Sequence, residues 1–557
     1  MAKKIVISSL LGEEIIDKQE KQAAVLEKLA SPKKVSKRKA TKSDDLTLEE
    51  QMQHIISEVY RILGRYAENT IVITTREQLK GYIDEAIAQG VIAIDTETNN
   101  SLDPITCQLM GPCLYTWGQK QAYVPLNHVD LHTGERLPDQ LTEQDVAEEL
   151  ARLTGANTFV VTHNGGFDYR VLKCTTGWQM HINWDTLIGA KMLDSTEKAK
   201  LKEQYIRKID SSIEKYDIEH LFEGLPYAIF PPEVFALYAA TDAFMTLRLY
   251  DYQRQIYERP ENARLLNAFL TVEVPVIVPT AEMELNGVCL DKEYAARLSV
   301  KYHKKLEEVQ QRIAHEMQQL RPQIEAWRLT PEAQHCDVKK GKKQKSLSEK
   351  LKDPVELTSP TQLSILLYDV LKVPAVSKDD PRGTGEDVLA AIDLPLCKLI
   401  TEQRGLLKLL GSFVDSLPLQ CNPKTGRVHA SFNQSGTETG RYSCSEPNLQ
   451  QIPSHRKDVR LMFTASPGYV MVGSDFSAQE PRLLATYSQD HNMCQAYIDD
   501  KDLYAVVAQK VYNNNYEDNL QTHADGSPFP EGKARRQDCK SILLGIMYGR
   551  GVDSVAE

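Results

Sequence analysis

Two carboxylates one residue apart, Asp95 and Glu97, close the apolar run Ile92-Ala93-Ile94. Strand side chains alternate, so this pair faces one side of the chain while Ile94 and Thr96 face the other. Carboxylates forced together repel each other unless cations sit between them. A further carboxylate, Asp168, follows the apolar run Val160-Val161-Thr162 and the polar turn His163-Asn164-Gly165-Gly166. Tyr238 and Asp242, at i and i+4, place a phenol and a carboxylate on one helix face. Alone, each piece has an ordinary use: a common strand end, a helix cap at Asp168, an amphipathic helix surface at Tyr238. Together, four acidic groups and a tyrosine in one stretch of chain form a pattern specific enough to expect divalent cations.

A second set lies further on. Val470-Met471-Val472 predicts a buried strand that delivers Asp475 to its end. Residues 476–482 then turn into a helix carrying Glu480 and Arg482. A carboxylate at a strand terminus ahead of a helix can hold Mg²⁺ against phosphate oxygens, and a polar surface turn is the ordinary alternative. Arg536, Lys540, Leu544 and Tyr548 recur every four residues, which predicts one helix face. Two cations one turn apart, followed by an apolar and an aromatic residue, match a nucleoside triphosphate laid along a helix. The competing reading is a solvated basic helix end followed by a core-facing tyrosine.

These groups need elements to position them. Short β-branched runs at 71–74, 91–94, 121–126 and 158–162 alternate with helical patterns, which predicts an α/β domain over residues 66–260. Residues 1–65 predict a helix over 13–30, a basic linker at 33–42 and a helix over 46–66. Apolar periodicity predicts a helix over 265–286 ending at Gly287, then a long charged helix over 292–328 and an exposed basic loop at 337–352. A hairpin-like stretch is expected near 422–432. The 557 residues suffice for two or three domains. With 41% hydrophobic and 26% charged residues the composition is that of an ordinary globular protein. The net charge of −11 argues against an all-over basic coat, yet a local positive stripe suffices for nucleic acid. No run of 18 apolar residues and no secretory leader is evident, so neither a membrane span nor a membrane partner is expected. Ten cysteines without a C-x-x-C pair predict reduced thiols and a cytoplasmic setting.

The order D-x-E, N-x-x-F-D, Y-x-x-x-D resembles the DEDDy type of 3′–5′ exonuclease domain, with a ribonuclease H-like fold. The resemblance implies that Asp95, Glu97 and Asp242 hold two divalent ions, Mg²⁺ or Mn²⁺, with Asp168 supporting the outer one and Tyr238 orienting the attacking water. From about residue 70 onward, the combination of DFSAQEPR (475–482), TGRYS (439–443), PNLQQIP (447–453) and RRQDCKSILLGIMYG (535–549) resembles family A DNA polymerases of bacterial and phage type. Residues 261–557 would then be a partial right hand, with a thumb at about 290–360 gripping duplex through its phosphates. The resemblance further implies that Asp475 binds both catalytic ions with help from the Phe476 carbonyl. Glu480 would exclude ribonucleotides, and Arg536 and Lys540, with Leu544 and Tyr548 on the same face, would bind the dNTP. Arg441, Asn448, Gln450 and Arg482 would contact DNA.

Three departures stand out. Leu544 replaces the usual phenylalanine or tyrosine, Tyr504 stands where many relatives carry histidine, and no 5′-nuclease domain precedes residue 66. The sequence also stops at Glu557, before the family's motif C and its second metal-binding aspartate. The expectation is therefore a proofreading polymerase of phage DNA replication that needs a separate C-terminal fragment for synthesis, with primer-template DNA and possible replisome factors as partners. The alternatives are a stand-alone 3′–5′ exonuclease on a DNA-binding platform, and a non-enzymatic primer-template-binding subunit.

Overall fold

The computed structural model describes residues 48–551 except 100, 214–221, 223–224, 337, 340–341, 344, 379 and 455. The expected helix at 13–30 and basic run at 33–42 lie outside the described residues. The chain forms two compact units, residues 1–465 and 466–557.

The first unit begins with helix α1 (Leu48–Leu63), followed by strand β1 (Thr70–Val72), helix α2 (Arg76–Gln89) and strand β2 (Val91–Thr98). Strands β3 (Leu109–Tyr115) and β4 (Gln121–Tyr123), helix α3 (Glu143–Gly155), strand β5 (Phe159–Thr162), helix α4 (Gly165–Thr176) and strand β6 (Trp184–Asp185) follow. Helices α5 (Leu201–Lys208) and α6 (Pro232–Tyr257) complete this part. The six strands form one mixed sheet in the order β1-β4-β3-β2-β5-β6. Central β2 runs antiparallel to β3 and parallel to β5. Helices cover both faces, so Ile92, Ala93 and Ile94 are all fully buried. Alternation sorts them: Ala93, Cys113 and Val161 share a core with Phe235, Ala239 and Ala243 of α6, whereas Ile92, Ile94 and Val160 pack with Leu79 of α2, Leu150 of α3 and Val171 of α4. Ile55, Val59 and Leu63 of α1 join the α6 side, so the described part of the N-terminal extension packs as a layer on this sheet.

A continuous helical run, Pro260–Asn286, leads out of the sheet and ends in helix α7 (Val274–Asn286). By length and composition alone this run could cross a membrane, although no uninterrupted apolar stretch of 18 residues occurs in it. Two of its carboxylates are engaged within the unit: Glu273 accepts from Gln434, and Glu284 pairs with Arg170 at 2.6 Å and accepts from the Phe432 amide at 2.5 Å. Gly287 follows at φ +56°, where a Cβ would meet the Val428 carbonyl at 2.6 Å, so the turn demands glycine. Strand β7 (Val288–Leu290) is the middle of a three-stranded antiparallel sheet between β8 (Arg427–Val428) and a later strand, Phe463–Thr464.

Helix α8 (Lys292–Arg328) runs 37 residues, about 55 Å at 1.5 Å per residue. Its buried stripe Leu298, Tyr302, Leu306, Val309 and Ile313 steps by three and four residues and packs with Leu399, Leu406 and Leu409 of helix α9 (Pro395–Leu409). The expected basic loop contains a short antiparallel pair, Val338–Lys339 with Lys342–Lys343. The expected hairpin is real only as a bridge between Cys421 and Val428, because β8 pairs onward with β7. Strand β9 (Ser431–Asn433) instead pairs with β10 (Ser443–Ser445).

The second unit carries helices α10 (Gln479–Ser488), α11 (His491–Ile498), α12 (Leu503–Tyr512) and α13 (Pro530–Met547). The predicted buried strand at 470–472 is not formed. Residues 469–478 contain no strand, and Val470 and Val472 are 82% and 88% exposed. β-Branched residues favour an extended chain, but a strand exists only when a neighbour accepts its ladder hydrogen bonds, and no described residues pair with this run.

Candidate functional site

The register of β2 against β3 sets the first cluster. Asp95 lies opposite Cys113 and Glu97 opposite Gly111, on the sheet face that α6 covers. The ligand atoms of Asp95, Glu97 and Cys113 all lie within 4.8 Å of one another. Tyr238 and Asp242 lie one turn apart on α6, as their spacing predicts, with Tyr238 buried against Phe222 and Phe235. Thr96 points the other way and donates to Asp168 Oδ1 at 2.6 Å.

Asp168 sits in the first turn of α4, not at its cap. That role falls to Asn164, in the left-handed region at φ 67°. The tight entry requires Gly165, whose Cβ would meet Thr162 Oγ1 at 2.2 Å, while the Gly165 amide donates to Asp185 at 2.7 Å. Thus β2, α4 and α6 each deliver part of one cluster.

Charge crowds here. The Asp95 carboxyl is pushed well up from the usual carboxylate range, first by burial and then by Asp168, Glu97 and Asp242. Burial also raises Asp168, to about 7, against the hydrogen bond from Thr96 that pulls it down. Like charges that raise one another in this way are relieved by a multivalent cation, so the four carboxylates fit divalent metal binding.

Sequence reading missed two neighbours. Lys202 of α5 places its ammonium 3.4 Å from Asp242 Oδ2 and 4.6 Å from the centre of the Tyr238 ring. It lies 40 residues from Asp242 in an ordinary amphipathic helix, so no local pattern marks it. Cys113 is fully buried, and burial and the nearby carboxylates push its thiol well up. Its one sequence signal is the parity of β3, usable only once the register against β2 is known.

The second unit holds the other cluster. Arg536 and Lys540 share a face of α13, but Tyr548 lies one residue beyond the helix end and is 66% exposed. Both cations stack over the Tyr504 ring, at 4.9 and 5.9 Å. Asp502 caps α12 through Oδ1 and holds Arg536 through Oδ2 at 2.5 Å. Asp475 and Phe476 are exposed in the segment before α10, and Glu480 is in that helix's first turn. Arg482 donates to the Ser477 carbonyl at 2.9 Å and stacks on Tyr497 at 4.4 Å. Leu544 is partly exposed on α13.

In the first unit, Arg441 is exposed beside β10. Asn448 caps a short helical turn by accepting from the Gln450 amide, and the Gln450 side chain donates to the Tyr442 carbonyl at 3.1 Å.

Two family models match the chain: "3'-5' exonuclease" over residues 70–257 and "DNA polymerase family A" over residues 328–557. Among curated proteins it is similar to DNA polymerase I of Chloroflexus aurantiacus, 28% identical over 488 residues, covering 84% of this chain and 45% of the relative. DNA polymerase I of Pseudomonas aeruginosa is 30% identical over 482 residues, covering 84% and 47%. The chain thus spans about half the length of the curated relatives it matches. Among solved structures it resembles the POL domain of Pol1 from M. smegmatis in complex with DNA primer-template and dNTP, with a TM-score of 0.61 at 20% identity, covering 86% of this chain and 71% of that one. At that identity the likeness concerns the fold.

Proposed function

The chain belongs to the family A DNA polymerases, with a 3′–5′ exonuclease domain, and from that premise we propose that residues 66–260 remove nucleotides from the 3′ end of DNA. The observation that carries this reading is the convergence of Asp95, Glu97, Asp168 and Asp242, from three separate elements, beside Tyr238. When bound, two divalent ions, Mg²⁺ or Mn²⁺, supply a lowered water pKa and neutralise charge on the phosphate. Asp95, Glu97 and Asp242 are their ligands in this reading, and Asp168, fixed by Thr96, supports the outer position. Tyr238 orients the attacking water through its hydroxyl. Water adds to the terminal phosphorus, the bond to the 3′ oxygen of the preceding nucleotide breaks, and a nucleoside 5′-monophosphate leaves.

The second unit supports template-directed synthesis as the partner activity. In that reading Asp475 and the Phe476 carbonyl are metal ligands, Arg536 and Lys540 hold the triphosphate, and Glu480, Leu544 and Tyr548 meet the sugar and base. Arg441, Asn448, Gln450 and Arg482 contact DNA, and residues 290–360 grip the duplex. Transfer to a primer by two metals needs a second carboxylate wall opposite Asp475. A motif C segment, on this polypeptide or another, fills that role in the proposal. The setting is DNA replication in a bacterial cytoplasm, which the bacterial relatives support.

The deciding experiment uses purified chain, a 5′-labelled primer on a longer template, and Mg²⁺. We expect 3′ shortening that falls at least about a thousandfold in Asp95→Ala, some 4 kcal/mol of transition-state stabilisation. Shortening that survives in both Asp95→Ala and Asp242→Ala would overturn the assignment. Adding dNTPs with and without a motif C polypeptide then reads synthesis separately.

A further inference from the structure

We propose that the Asp95–Glu97 centre is a mixed carboxylate–thiolate site, in which Cys113 Sγ is a third ligand for a thiophilic divalent cation such as Co²⁺, Zn²⁺ or Cd²⁺. The inference rests on the reading of Asp95 and Glu97 as metal ligands and adds a donor to them.

Three observations carry it. First, the antiparallel register sets Cys113 directly opposite Asp95. Facing residues of such a pair point to the same side, with Cβ atoms about 4.5–5.5 Å apart. Opposite Glu97 stands Gly111, whose Cβ would lie 2.1 Å from the Val124 carbonyl oxygen, so no side chain fits there. Cys113 is thus the cross-strand side chain shared by both carboxylates.

Second, the Sγ and the two carboxylates bring one ligand atom each to within 4.8 Å of the others. In a tetrahedral site with metal–oxygen bonds of about 2.0–2.2 Å and metal–sulfur bonds of about 2.3 Å, donors lie roughly 3.3–3.7 Å apart. Side-chain shifts on the order of 1 Å therefore suffice to close the set.

Third, Cys113 is fully buried and makes no hydrogen bond among the described residues. The half-buried Cys107, Cys421 and Cys494 each reach a backbone carbonyl, whereas Cys397 and Cys539, as fully buried as Cys113, make no hydrogen bond among the described residues either. What distinguishes Cys113 from those two is that its buried sulfur faces two carboxylates, which arranges it as a ligand.

Donor softness then sorts the cations. Mg²⁺ demands oxygen ligands in near-octahedral geometry and leaves the thiol out. Thiophilic cations gain the sulfur. As the sulfur–metal bond forms, the S–H bond breaks and its proton goes to solvent, with no change in oxidation state. The consequence is a site with two modes: hard ions held by oxygen alone, and thiophilic ions held more tightly and displacing them.

The test is titration of the full chain with Co²⁺, followed by absorption, because thiolate-to-cobalt charge transfer gives a near-ultraviolet band that carboxylates do not. We expect a band saturating at one equivalent that is absent from Cys113→Ser. The variant should also bind Cd²⁺ at least tenfold more weakly in competition with a chromophoric chelator. Thermal melting of both proteins establishes that the variant is folded, and Cys113→Ala serves if the serine variant is not. A band that persists without Cys113 overturns the proposal. So does Co²⁺ bound in an Asp95-dependent manner with no band, an outcome that leaves the carboxylate site standing. Co²⁺ binding that Asp95→Asn does not alter overturns the carboxylate reading as well.

Discussion

Lys202 reaches across from α5 to Asp242 and lies over the Tyr238 ring, so one ammonium touches both groups that the proposed function assigns on α6. It is a competitor for any cation at Asp242 and a brace for the tyrosine. Lys202→Met should therefore lower the Mg²⁺ concentration for half-maximal 3′ degradation by roughly threefold, which is about 0.6 kcal/mol and within the range of a partly exposed pair. The maximal rate should fall as Tyr238 loosens, and a metal titration of the rate reads both. His128 poses a stability question instead. Its imidazole is buried between the Tyr123 hydroxyl and the Phe230 carbonyl, and burial pushes it down to about 4. The unfolded chain binds this proton near pH 6.5 and the folded chain does not. The contribution to stability is therefore complete above pH 6.5 and is lost as pH falls through about 4. The loss amounts to roughly 3 kcal/mol. Melting temperatures across that window should fall less steeply in His128→Gln than in the parent protein.

Among the elements, β2 and the segment at 469–478 make an instructive contrast. Both are short β-branched runs that lead into a carboxylate, and the same pattern predicts a buried strand for each. β2 has β3 on one side and β5 on the other, and it is buried. The 469–478 segment has no strand beside it among the described residues, and Tyr469, Val470, Met471 and Val472 are exposed. An unpaired, apolar, extended segment is a template for association with other chains. Replacing Val470 and Val472 with lysine should reduce self-association in static light scattering at high protein concentration. Equal association of parent and variant would show that this run is not the adhesive element. α8 is the opposite case, because its apolar stripe repeats at helical spacing over 37 residues, and local periodicity alone was enough to foresee it.

For the whole molecule, a net charge of −11 means that the DNA of the proposed function would be met through local positive surface rather than a general field. The exposed Lys304 and Arg312 of α8 belong to the segment assigned to duplex binding. Replacing both with alanine should reduce the slope of log affinity against log salt by about 1.8, that is, about 0.9 for each phosphate no longer neutralised. Fluorescence anisotropy with a primer-template over a salt series measures this. An unchanged slope would place the duplex elsewhere.

The strand bearing Asp95 and Glu97 and the helix bearing Tyr238 and Asp242 were legible from sequence, because alternation and i, i+4 spacing are local properties of the backbone, whereas Asp168 reads as a helix cap and lies inside the first turn of α4. So were the family motifs and the cation pair on α13. The meeting of those five residues at one sheet end was not written in any local pattern, since β2, α4 and α6 are brought together only by strand order. Nor were the partners that only packing supplies: Lys202 against Asp242, Asp502 on Arg536, and Cys113 under Asp95. Sequence determines which way a side chain points along its own element, whereas strand register and helix packing decide what it points at. That is why the same apolar pattern became a core strand at 91–98 and an exposed segment at 470–472.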